Sequence, residues 1–117
     1  MIIIRRSVSI LLITLLVGGC AARAPQLYQW ERYQGNLDSY FRADSVGLDS
    51  QIQLMEQDLQ KIKMIDSAVP PGYTAHLGLL YAQQGRLDKF AEFLQEEKRR
   101  FPEAEVFVDF LLRNFTK

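Results

Sequence analysis

Apolar and polar positions recur along this chain mostly with the spacing of helix faces. Ile52, Met55, Leu59 and Ile62 follow one another at intervals of 3, 4 and 3 and so stack on one side of a helix. Ser50 with Gln53 three positions later fits a capping box, which predicts a helix from Ser50 to near Ser67. Val69-Pro70-Pro71-Gly72 stops that helix and redirects the chain. A further helix is predicted over about Tyr73 to Gln84, with Gly85 suited to the left-handed position just past a helix end. The next runs from about Leu87 to Arg100, with Asp88 and Glu92 early and Lys98, Arg99 and Arg100 late, as the helix dipole favours. Pro102 with Glu103 and Glu105 opens a last helix to about Asn114. Val106, Phe107, Phe110 and Leu111 are read as its core face. Val108 and Leu112, four apart, form a second stripe expected to be partly exposed, and they are the candidate partner interface.

Upstream, Tyr28, Trp30, Tyr33, Tyr40 and Phe41 supply five of the 13 aromatics, and Gly35-Asn36 is predicted to split the stretch into two short helical pieces. These rings are read as packing anchors. A membrane-facing aromatic belt is the rival reading, since Trp and Tyr favour interfaces.

The first 20 residues follow another pattern. Arg5-Arg6 precede an apolar run, Ser7 to Val17, and then come Val17-Gly18-Gly19-Cys20. The uncharged stretch from Ser7 to Gly19 is 13 residues, and as a helix it would span roughly 20 Å against a hydrocarbon core of about 30 Å. Extending it through Arg5 and Arg6 would bury two charges. The order of charged, apolar and small residues before the only cysteine resembles a bacterial lipoprotein signal peptide, although Gly18 stands where Ala or Ser is usual. An ordinary secretory signal with an incidental thiol is the alternative. The resemblance implies a signal peptide over residues 1–19, an acylated Cys20 with a short tether over 20–26, and a single domain over 27–117. Several acyl chains at about 0.8 kcal/mol per methylene would hold the protein on a membrane. Ala21, where an aspartate would signal retention in the inner membrane, implies the periplasmic side of the outer membrane. The tether reaches only about 20 Å, so the domain would stay close to the bilayer.

Composition narrows the function classes. The chain has 14 basic and 14 acidic residues, and loss of Arg5 and Arg6 leaves the remainder at a net charge of −2, which gives no electrostatic case for nucleic acid binding. With its one cysteine acylated, the domain has no disulfide and must be stabilised by packing.

Gly78, Tyr81, Gly85, Leu87, Leu94 and Pro102 stand in the register of a tetratricopeptide repeat, in which small residues let two antiparallel helices approach closely. Phe90 and Glu97 depart from that motif, which wants small residues at both places. Gln34 to Tyr40 also lines up with Gln84 to Phe90, fifty residues on, a longer interval than the usual repeat of about 34. Over nearly its full mature length the chain resembles small bacterial lipoproteins grouped as domain of unknown function 4810. The resemblance rests on Tyr28 to Tyr33, Pro70 to Tyr81, Glu96-Glu97-Lys98 and Phe101-Pro102-Glu103. It implies an accessory lipoprotein of a kind often encoded beside one similar to the curli secretion-pore component and another small lipoprotein. It implies no catalytic residue.

Catalytic chemistry has little support in the sequence. His76, the only histidine, lies between Ala75 and Leu77 in a predicted helix and is read as a packed or surface imidazole rather than as a ligand or base. Glu92, Glu96 and Glu97 are read as ordinary helix acids, and the basic triplet Lys98 to Arg100 as a solvated face. The expectation is an all-α domain of four to five helices with a tetratricopeptide-like hairpin, behind a lipoprotein signal peptide. Its expected role is a protein-binding or assembly module, not an enzyme, with no cofactor, metal or small-molecule substrate. Its expected partners are the membrane, through the lipid anchor, and another outer-membrane lipoprotein. A cell-wall hydrolase or hydrolase inhibitor and a purely structural envelope lipoprotein are the alternatives.

Overall fold

The segment from Tyr73 to Gln83 lacks a polar face, and its place in the fold accounts for that. In the computed structural model, which describes residues 1–5, 7–8, 24–43 and 46–115, eight of the eleven residues of this helix are buried. A helix that is apolar all round must be covered all round. The covering elements follow in chain order: α1 (Tyr33–Arg42), α2 (Leu48–Met64), the central α3 (Tyr73–Gln83), α4 (Leu87–Arg100), a 3-10 turn (Pro102–Ala104) and α5 (Glu105–Phe115). Among the described residues there is no strand. The domain is all-α.

Two apolar clusters lie on opposite sides of α3. One joins Tyr33 of α1, Ile52, Met55, Leu59 and Ile62 of α2, and Tyr73, Leu77 and Leu80 of α3. The other joins Ala75 of α3, Phe90 and Leu94 of α4, and Val108 and Leu111 of α5, with Leu79 and Leu112 packed against it. The helical pair α3 and α4 has the most extensive contact in the domain. A Cβ on Gly78 would lie 3.2 Å from the Phe90 carbonyl oxygen and 3.3 Å from the Phe93 Cβ. The close approach expected there is present, and Phe90 serves as core filling at the place where the motif wants a small side chain.

The turn after α3 forms as its sequence predicts. Gly85 takes φ +81°, its N–H donates to the Ala82 carbonyl at 3.0 Å, and the Arg86 N–H donates to the Tyr81 carbonyl at 2.9 Å. Those bonds are the two of a Schellman motif.

Three local expectations change. Gly35 and Asn36 do not break the aromatic stretch, and α1 runs through both. Packing of Tyr33, Leu37 and Tyr40 against the first cluster outweighs a glycine penalty of about 1 kcal/mol. α2 starts at Leu48 with Gly47 at its cap, so no capping box forms at Ser50. The Gln51 side-chain amide instead donates to the Val46 carbonyl at 2.9 Å.

The third change reverses the faces of α5. Val108 is fully buried and Leu112 is half-buried in the second cluster, so the stripe expected to be exposed is the core stripe. Val106, Phe107 and Phe110, read as core, are 81%, 53% and 54% exposed, whereas Leu111, read with them, is buried in the second cluster as expected. The rotation is set by Ala104, Val108, Leu111 and Phe115, spaced 4, 3 and 4, beginning in the 3-10 turn. Lys98 fixes it further by pairing with Glu105 and Asp109, each at 3.0 Å.

The aromatic anchors pack as read. Tyr28 meets Phe101 edge-on with centroids 6.2 Å apart, and Trp30 stacks on Tyr33 at the same spacing. Only Phe41 of the five points to solvent, 78% exposed.

Candidate groove between the second and fourth helices

Between α2 and α4 runs an open polar groove of about 520 Å³. Gln53, Gln57 and Gln60, at i, i+4 and i+7, line it from α2 together with Glu56 and Lys63, and α4 contributes Lys89, Glu92 and Phe93. A smaller recess of about 70 Å³ shares Leu59, Lys63, Glu92 and Phe93 and continues toward Thr74, Glu96 and Arg100. Phe93 is the aromatic member of both linings, and behind it the buried Tyr81 of α3 stacks on its ring at 8° and 5.7 Å. Arg86 lies over the Tyr81 ring and Lys89 over the Phe93 ring, at 5.5 and 5.9 Å from the centroids.

Most of the groove's charges are paired. Lys89 bridges to Glu92 at 2.7 Å and Arg100 to Glu96 at 2.6 Å. The Tyr81 hydroxyl donates to the Glu56 carboxylate, tying α3 to α2. Burial first, and that carboxylate second, push the Tyr81 phenol up to about 12. What remains free for a ligand is chiefly amide. Each glutamine offers a carbonyl acceptor and an NH2 donor, the two functions that an extended polypeptide backbone presents. Lys63 adds a cation with no ion-pair partner among the described residues.

Behind the groove, Glu97 holds the α3–α4 hairpin together. Its carboxylate is buried at the N-terminus of α3, where it accepts from the Gly72 N–H at 2.5 Å, the Thr74 hydroxyl at 2.5 Å and the Ala75 N–H at 3.3 Å. The first N–H groups of a helix lack partners within it, and the dipole there favours an anion. Gly72 itself has φ +84°, and a Cβ on it would come within 2.9 Å of the Tyr33 hydroxyl. Burial, and then the nearby Glu97 charge, push the Tyr33 phenol up to about 12.

On the other side of α2, the fully buried Asp58 carboxylate takes a two-pronged bond from Arg32, Nε to Oδ2 at 2.9 Å and Nη2 to Oδ1 at 2.6 Å. Burial works to raise the Asp58 pKa, but the Arg32 hydrogen bonds and charge outweigh it and hold the group below its usual value.

Of the residues singled out in the sequence, Cys20 lies outside the described residues. Val108 and Leu112 lie on the far side of α3 from Tyr81's cluster and take no part in the groove. Of the two placements left open for His76, packed or surface, the structure has the packed one: it is 6% exposed, with the Tyr40 ring edge-on at 5.0 Å. Its Nε2 has no hydrogen-bond partner among the described residues, and burial lowers its pKa. The basic triplet is occupied within its own surface, Lys98 by Glu105 and Asp109, Arg99 and Arg100 by Glu96. Among the described residues no group of three or more His, Cys, Asp or Glu side chains could hold a metal ion.

The lining of the groove was missed in the sequence, although three glutamines at helical spacing were visible there. Residues 27–111 match the family described as a domain of unknown function, DUF4810. The chain belongs to that family. The matched span contains α1 to α4 and most of α5, so the groove and the Glu97 cap both lie inside it. No curated protein and no solved structure matches the chain.

Proposed function

We infer that this protein is a lipid-anchored accessory module of the bacterial outer membrane, which uses the α2–α4 groove to hold an extended segment of a partner protein. The observation that carries the reading is the row Gln53, Gln57 and Gln60 facing Phe93 across an open channel. A row of amides facing one aromatic ring suits a peptide backbone with an occasional apolar side chain better than it suits an acyl chain. The absence of a catalytic pairing in the sequence and the N-terminal pattern ending at Cys20 agree with a tethered binding role. The partner implied by the family resemblance is another outer-membrane lipoprotein, the one similar to the curli pore.

Co-purification tests this. Tagged full-length chain is recovered from detergent-solubilised envelopes beside the variant Gln53→Glu, Gln57→Glu, Gln60→Glu, whose substitutions are all at exposed positions. The expected result is loss of an envelope protein from the variant, with unchanged helix content by circular dichroism. Recovery of the same proteins by both would refute the groove as the binding site.

A further inference from the structure

The α5 face that turned outward has an order of its own. Val106, Phe110 and Arg113 of α5 follow at intervals of 4 and 3, the seam spacing of a coiled coil, and Glu103 stands three positions before Val106 in the 3-10 turn that leads in. All four are exposed, and neither Glu103 nor Arg113 has an ion-pair partner among the described residues. The seam is acidic at one end, apolar in the middle and basic at the other end. Turned end for end about a point beside residue 108, it is its own complement: Glu103 falls opposite Arg113 of the second copy, and Val106 opposite Phe110.

We propose that the outward face of α5 is an antiparallel docking surface for a second copy of this chain. A two-fold pair is the commonest closed arrangement, and it requires one patch that is complementary to itself. The antiparallel order also sets the two helix dipoles head to tail. Phe107, one position from the axis, lies beside its own symmetry mate and widens the apolar strip.

The charges argue against a lipid occupant. A helix that lies in a membrane surface presents Lys and Arg along its polar side, whereas α5 and its lead-in carry Glu103, Glu105 and Asp109 against Arg113 alone. Two to three helical turns per copy make a weak contact in solution, below the roughly 1,200 Å² of a standard interface. Confinement of both copies to one membrane would raise its occupancy without any new contact.

Zero-length carbodiimide crosslinking of the full chain in envelope membranes tests the proposal, using Arg113→Lys to supply an amine while keeping the charge. Across the 3-10 turn and α5, positions 103 and 113 are at least about 15 Å apart within one chain, so a link between them arises only between copies. Lys98 and Glu105, 3.0 Å apart within one chain, are the internal control. The expected result is a species of twice the monomer mass containing a 103–113 link, reduced at least tenfold by adding Phe110→Glu. Three results would overturn the proposal: the control link without the 103–113 link, a 103–113 link indifferent to Phe110→Glu, or α5 labelled instead by photoactivatable lipid or joined to a different protein.

Discussion

The carboxylate of Glu97, in the last turn of α4, accepts the Gly72 N–H at 2.5 Å and so caps α3 from a helix that runs against it. The same group bonds the Thr74 hydroxyl and the Ala75 N–H. One side chain thus closes the open end of the hairpin, at the position where the repeat motif calls for a small residue. Glu97→Ala removes the acceptor for three donors that are buried or nearly so, and it is expected to cost about 2–4 kcal/mol. Thermal melting reads the loss. Glu97→Gln, which keeps one acceptor oxygen, should fall between the wild type and the alanine variant.

Midway along α3, Gly78 faces the Phe90 carbonyl and the Phe93 Cβ with no room for a branched side chain. Gly78→Leu should overpack the contact and destabilise by about 1–3 kcal/mol, despite its better helix propensity. Gly78→Ala should lie near neutral, because a propensity gain of about 1 kcal/mol opposes a contact of 3.2 Å that must open slightly. A raised melting point for the leucine variant would contradict the geometry.

Stability should depend on pH through His76. Burial between Tyr33 and Tyr40 holds its folded pKa below the ordinary 6.5, so between those two values the unfolded chain binds more protons than the folded one. Stability is therefore complete above about 6.5 and falls as the pH drops toward the folded value. Asp58 acts in a lower window. Its folded pKa is depressed below 3.8, so its contribution is present above that value and is lost as the pH falls through the folded one. Melting points measured from pH 7 to 5 should decline for the wild type and decline less for His76→Phe. Equal slopes would show that the imidazole is not the group responsible.

The anchor has its own prediction. Cys20→Ser should abolish incorporation of a palmitate analogue and leave either precursor in the inner membrane or soluble periplasmic product. Equal labelling of the two proteins would remove the lipid anchor from the account.

The hairpin was legible because its punctuation is local. Pro70-Pro71-Gly72 and Gly85 fix the limits of α3, and Gly78 marks the close contact within a single helix. Glu97 was not legible, because a glutamate among Glu96, Lys98 and Arg99 looks solvated and its partners lie 22 to 25 residues away. The phase of α5 was misread because both of its sides are apolar, and the 3-10 turn and the Lys98 pairs that select one of them are tertiary features. The glutamine row could be seen at its spacing, but that α4 lies across from it follows only from both helices packing on α3.

A photoactivatable amino acid placed at Gln57 in the full-length chain, and activated in living cells, tests the groove most directly. The account predicts a crosslink to one distinct envelope protein, weakened when Gln53 and Gln60 are both changed to Glu and absent when the probe stands at Gln95, which is exposed and outside the groove lining. Crosslinks of equal strength from Gln95, or none from Gln57, would contradict it.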